Sequence, residues 1–316
     1  MTTKRIEPGR SGTRAVYCAA RHFARKARQG LAAADLPDAA VHAARKALQR
    51  SRAALRLLRP ALGERRYRGE DARLRAAAHA LNPARDANVL VQALDSLRRA
   101  DPAVARDAAA ARLSHRLHAR RRTAQRQLRD ARSLAALRRA LRQLGRRTSR
   151  WRAGKHGWSV LGPAFEHVYR VGRRRLRAVR DAADDPALHG WRKQVKYLRH
   201  ALQMLQPMHP RALDSMVRQA HRLSEQLGEV HDLSLLAQQA RSLGGREGQG
   251  GHDGRDQREG RDSREGESAA TLLADLERRR ARLATRALAS GRRLYRSRPR
   301  ALTRRLGGYW RAWRDR

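Results

Sequence analysis

From Val41 to Leu58, apolar or small residues fall at steps of three, four, three, four and three: Val41, Ala44, Leu48, Ser51, Leu55 and Leu58. The same steps recur in Leu188, Trp191, Val195, Leu198, Leu202 and Leu205. This is the period of one helix face, and it predicts two helices, each with an unbroken core stripe. The first runs from about Asp38 to Arg59, between the start signal Leu36-Pro37-Asp38 and Pro60. The second opens at Asp184-Asp185-Pro186 and ends before Pro207. Elsewhere Ala, Leu, Arg and Gln dominate and β-branched residues are scarce, so the predicted fold class is all-α. Further helices are expected over 15–29, 69–80, 82–99, 102–144, 161–179, 210–227, 233–243 and 269–295. A last one, after Pro299, carries Leu302, Leu306, Trp310 and Trp313. Residues 1–12 read as a flexible arm, and 145–160, with Gly145, Gly154 and Gly157, as a junction. The Gly-, Arg-, Asp- and Glu-rich stretch 244–268 reads as a disordered insertion.

The two striped helices are copies of one motif. Their histidines, His42 and His189, stand 147 residues apart. A second shared motif follows each: Leu81-Asn82-Pro83-Ala84-Arg85-Asp86 in one half, Leu227-Gly228-Glu229-Val230-His231-Asp232 in the other. Asp86 and Asp232 lie 44 and 43 residues beyond their histidines. Two motifs in one order at nearly one offset predict a duplication, with halves at 13–148 and 149–314.

Charge adds a partner to this picture. The net charge is +44 over 316 residues, and 67 of the 73 basic residues are Arg. A GC-rich coding bias explains Arg over Lys but not the excess over Asp and Glu. Self-repulsion of that size opposes folding, so a polyanionic partner is expected. The single cysteine, Cys18, excludes an internal disulfide and a Cys-based zinc site and fits a reducing cytosol. The first residues lack the apolar stretch of a secretory signal, and no run is long enough to span a membrane.

The position after each core residue carries the charge. His42, Arg45, Gln49, Arg52, Arg56 and Arg59 form one stripe, about 25 Å long. The other is His189, Arg192, Lys196, Arg199, Gln203 and Gln206; Lys46, Arg50 and Lys193 widen the pair. A stripe flanking a core seam is half-buried, and the motif helices bring almost no acidic partner. Guanidinium groups so placed suit phosphate oxygens, which Arg engages with two parallel hydrogen bonds. The histidines fit a structural place near a helix N-terminus or a phosphate-donor role; surrounding Arg and Lys make them poor metal ligands. Asp86 and Asp232 are candidate helix caps or partners for basic residues. Arg112, Arg116 and Arg120, and likewise Arg170, Arg173 and Arg177, add basic rows on other helices. No cofactor or metal is expected and no enzyme is read, since neither a carboxylate cluster nor a Gly-rich phosphate loop is visible.

Taken in order, His-x-x-Arg with further Arg on a helix, the Arg-Asp segment, both again, then Pro299 and Tyr309-Trp310-Arg311-Ala312-Trp313 resemble the CHAD family over about 12–314. The resemblance implies two pseudo-symmetric four-helix bundles around a basic channel, inorganic polyphosphate as ligand, and a cytoplasmic place on polyphosphate granules. It implies that His42, Arg45, Arg50, Arg52, His189, Arg192, Lys193, Lys196 and Arg199 face the channel; Lys46 joins them by charge and position. Gln49 stands where a basic residue is usual, and His231 where a small polar one is. Nucleic acid is the second candidate partner, although no stacking platform or nucleic-acid-binding signature is seen. Anionic membrane surfaces are a further one. The oligomeric state, the chain length preferred and the purpose of the insertion stay open.

Overall fold

Ala, Leu and Arg are strong helix formers, and they dictate nearly every element of the chain. The computed structural model describes residues 12–32, 36–149, 157–181, 184–244 and 255–315. Among these are thirteen α-helices and no strand. They are α1 (Gly12–Gly30), α2 (Asp38–Leu57), α3 (Arg59–Leu62), α4 (Glu64–Ala80), α5 (Asn82–Ala100), α6 (Pro102–Arg106) and α7 (Ala108–Arg129). Then come α8 (Ala131–Ser149), α9 (Trp158–Asp181), α10 (Asp185–Leu205), α11 (Pro210–Gly244), α12 (Arg255–Leu294) and α13 (Pro299–Arg314). A 3-10 turn, Gln206–Met208, follows α10.

The long basic helix expected over 102–144 is three helices. Asp107 and Asp130 divide it, because each carboxylate accepts a backbone N–H at the start of the next helix: Ala110 at 2.7 Å and Ser133 at 3.0 Å. Asp101 caps α6 in the same way through Ala103. By contrast 210–227 and 233–243 are one helix, α11, which passes through Gly228 without a break. Residues 1–11 of the predicted arm and 150–156 of the predicted junction lie outside the described residues, as do 245–254 of the predicted insertion; the described ends of the junction belong largely to α8 and α9. The rest of that insertion, from Arg255, is helical. Arg, Gln and Glu favour helix there, and Ser268 anchors the far end: its hydroxyl donates to Asp107 and accepts from the Ala109 N–H.

The described chain packs as two units, residues 1–82, 128–225 and 288–316 in one, and 83–127 and 226–287 in the other. These are not the sequence halves divided at 148/149; each unit draws on both. Unit one contains both motif helices, and unit two contains nearly all of both Asp86-type and Asp232-type segments. In unit one α1 lies along α2, α9 along α10, and α2 against α10. Both predicted core stripes are buried in full. Ser51, the polar member, donates to the Ala20 carbonyl at 3.0 Å. Trp191 is fully buried, and glycine at 291 makes room for it: a Cβ there would lie 2.5 Å from the indole. In α9, Tyr169 donates to the carbonyls of Leu294 and Ser297 and so holds the end of α12. The core of unit two includes Leu90, Leu94, Leu113, Leu236 and Leu276.

Candidate functional site

The period that buries Val41, Ala44 and Leu48 turns the next residues along the edge of the seam. Arg45, Lys46, Arg50 and Arg52 on α2 are half-buried, as are His189, Arg192, Lys196 and Arg199 on α10. His42 and Lys193 are exposed. Because α2 packs on α10, cations from the two copies share one electrostatic field. Burial, then Arg50 and Arg199, hold the Lys46 ammonium below its ordinary range, against the pull of Glu225. Burial and Arg199 lower Arg50, whose guanidinium also stacks on Phe23, 5.6 Å from the ring centre. His200, fully buried on the inner side of α10, is driven down to about 3, first by burial and then by Arg199, Arg50 and Lys196. Its Nδ1 pairs with Gln203 at 3.1 Å. Like charges crowded into a half-dry seam raise the energy of the empty site. An anion placed among them removes that cost.

Carboxylates from other elements temper the stripe, which sequence periodicity on α2 and α10 could not show. Asp71 of α4 is buried and accepts from Arg52 Nε at 2.9 Å, Arg52 Nη2 at 3.1 Å and Arg56 Nη1 at 3.0 Å. Burial pushes its carboxyl up, but Arg52 and Arg56 outweigh that and hold it below the usual range. Arg56 lies 3.6 Å from the ring centre of Tyr197 on α10, so this knot ties α2, α4 and α10 together. The fork of Arg52, expected to face a ligand, is spent on Asp71. Arg199 donates to Ser224 at 3.4 Å and to the exposed Glu225 at 3.0 Å, both on α11. Asp71 and Glu225 were missed because each is remote in sequence from the helix it serves.

The outlying candidates divide. Arg170, Arg173 and Arg177 on α9 belong to unit one, and Arg170 pairs with Glu166 at 3.7 Å. Arg112, Arg116 and Arg120 on α7 belong to unit two, where Arg116 donates to the carbonyl and hydroxyl of Ser242 at 3.2 Å. Asp86 and Asp232 lie inside α5 and α11, so neither caps a helix; His231 is half-buried within α11. Among the described residues no three His, Cys, Asp or Glu side chains are arranged to hold a metal. No described helix is long and apolar enough to cross a membrane.

The repeated motif, the all-α architecture and the cationic seam now meet a direct comparison: the model of the CHAD domain matches residues 17–241. The chain belongs to the CHAD domain family. A solved CHAD domain from the plant Ricinus communis shares its fold, with a TM-score of 0.59 and 17% identity over 94% of this chain and 96% of that one. So does PptA from Streptomyces chartreusis, with a TM-score of 0.61 and 16% identity over 90% and 99%. At such identities the likeness is one of fold. No curated protein sequence matches this CHAD domain.

Proposed function

We propose that this CHAD domain binds inorganic polyphosphate, without chemistry upon it, along the seam where α2 and α10 meet. One observation carries the reading: Arg199, from one copy of the motif, helps burial to lower the protonation of Lys46 and Arg50, from the other. Polyphosphate binding is known for CHAD domains in general. Arg45, Arg192, Lys193, Lys196, His42 and His189 extend the cationic surface along both helices, and Arg52 supports it from Asp71. A polyphosphate unit offers a negative charge and no base. It therefore asks for point charges and forks along a track, not for a stacking platform. Among the described residues every aromatic ring is buried or half-buried, which favours polyphosphate over single-stranded nucleic acid. Gathering on polyphosphate granules in the cytoplasm follows from the same binding.

Calorimetric titration with long-chain polyphosphate at two salt concentrations tests this, with tRNA and tripolyphosphate as comparators. Binding is expected to be tight, salt-sensitive and strongest for the long chain, with no phosphate released. In Lys46→Gln with Lys196→Gln, two charge-assisted contacts worth about 1.5 kcal/mol or more each are lost, so affinity should fall about a hundredfold. The salt slope should shrink by about 1.4. An unchanged affinity in that double variant removes the seam as the site. Equal or tighter binding of tRNA makes this a nucleic-acid protein.

A further inference from the structure

Beyond the α2–α10 cation seam, unit one contains a cavity of about 520 Å³ bordered by the end of α2, by α3, α4 and α9, and by Gln194 of α10. We infer that it is a binding site for a small phosphorylated molecule carrying a flat ring, of the nucleoside diphosphate class. This reading does not depend on polyphosphate binding.

The lining has two chemistries. Arg56 and Arg59 bring cationic forks to it, and His167 an imidazole. Arg59 gives only its Nε to Glu64, at 2.7 Å, out of five guanidinium donors. Arg56 gives Nη1 to Asp71 and to the Arg52 carbonyl. Both keep donors for phosphate oxygens. Pro60, Ala164, Val168 and Val171 supply an apolar face. A bare polyphosphate gains nothing from such a face, whereas a heterocycle gains about 25 cal/mol for each Å² it buries. Tyr67, whose ring Arg59 overlies at 5.1 Å, offers aromatic surface, and the Gln194 amide offers both a donor and an acceptor to a ring edge. Glu64 also lines the space. Its carboxylate opposes a long all-anionic chain and accepts from a ring N–H. The volume suits one small ligand.

The site also has a proton signature. Burial, then Arg59, Arg170, Arg174 and Arg56, holds His167 below its ordinary range. A phosphate among those groups favours the imidazolium, so binding takes up a proton and tightens as the pH falls toward 6. Tyr67 and Glu64, the other titratable groups facing the space, are phenol and carboxylate that hold their state across that window.

The probes are ADP, adenosine and pyrophosphate, titrated calorimetrically into the full chain. ADP should bind saturably with a Kd below about 1 mM, at least tenfold tighter than adenosine or pyrophosphate. Val171→Glu should abolish this while leaving polyphosphate affinity unchanged, and Arg59→Gln, which keeps the apolar face, should weaken ADP more than adenosine. Lys46→Gln with Lys196→Gln should leave ADP binding intact; that separates this site from the seam. Pyrophosphate matching ADP, no saturable ADP binding, or ADP lost with the lysines instead of with Val171 would each overturn the proposal.

Discussion

His200 shows how a single buried group records the charge around it. It is neutral in the folded chain, since its pKa is about 3, against 6.5 when unfolded. The depressed folded value means the unfolded chain alone takes up the proton between these limits. Stability is therefore full above pH 6.5 and is lost as the pH falls, by up to about 1.4 kcal/mol per unit. Asp71 adds to acid loss only below its ordinary value of 3.8, whereas His167, also held below its ordinary range, adds to it in the same window. The share of His200 is therefore the difference between the wild type and a His200 variant. His200→Asn should flatten urea midpoints measured from pH 7 to pH 4 by one proton's worth of slope; a parallel curve would place the proton elsewhere. Glu225 is the opposite case, an exposed carboxylate 3.0 Å from Arg199 and 3.5 Å from His221. It occupies the position of an anion among the cations of the seam. Exposed pairs are worth about 0.2–1 kcal/mol, so Glu225→Gln should tighten polyphosphate binding by up to about fivefold. Weaker binding in that variant would mean that Glu225 positions Arg199 and does not compete for it.

At the level of elements, what was legible in the sequence is what a single helix decides alone. The three-four spacing of Val41 to Leu58 and Leu188 to Leu205 marks the buried faces, and the next position marks the half-buried cations. Chemistry that needs a second element was not legible. Nothing near Arg52 in sequence announces Asp71, 19 residues away on α4. Asp107 and Asp130 fall inside the stretch 102–144 that reads as one basic helix, yet as caps they cut it into three. The grouping of both motif helices in one unit was hidden by a repeat that suggested division into halves. The Asp71 knot carries its own prediction. Its side chain is 7% exposed and serves Arg52, Arg56 and the exposed Arg75, so Asp71→Asn leaves two half-buried cations poorly compensated. Breaking such a pair costs about 3–5 kcal/mol, a loss that denaturant unfolding would register directly. A loss under 1 kcal/mol would mean that Tyr197 and solvent alone satisfy Arg52 and Arg56. Asp71→Glu, which keeps the charge, should recover part of the stability.

For the molecule as a whole, the charge of +44 sets the terms on which the fold exists. Twenty-nine acidic residues cannot neutralise 73 basic ones, and the ion pairs at Asp71, Glu64, Glu70 and Asp275 relieve the field only locally. The helices are held by apolar stripes while their outer faces repel, and repulsion between exposed charges is what salt screens. Thermal unfolding without ligand should therefore move upward as salt rises from about 0.05 to 0.3 M. A polyanion that binds only the folded seam acts more strongly. At a hundred times its Kd it contributes about 2.7 kcal/mol, a rise of roughly 4 °C for a chain of 316 residues. That rise should shrink as salt increases, because the same ions that screen the empty protein compete with the ligand's phosphates. The two effects have opposite signs, so the melting curves with and without long-chain polyphosphate should converge at high salt. If salt alone lowers the midpoint, attraction and not repulsion dominates the empty fold, and the seam would not be the strained, anion-seeking surface that Lys46, Arg50 and Arg199 describe.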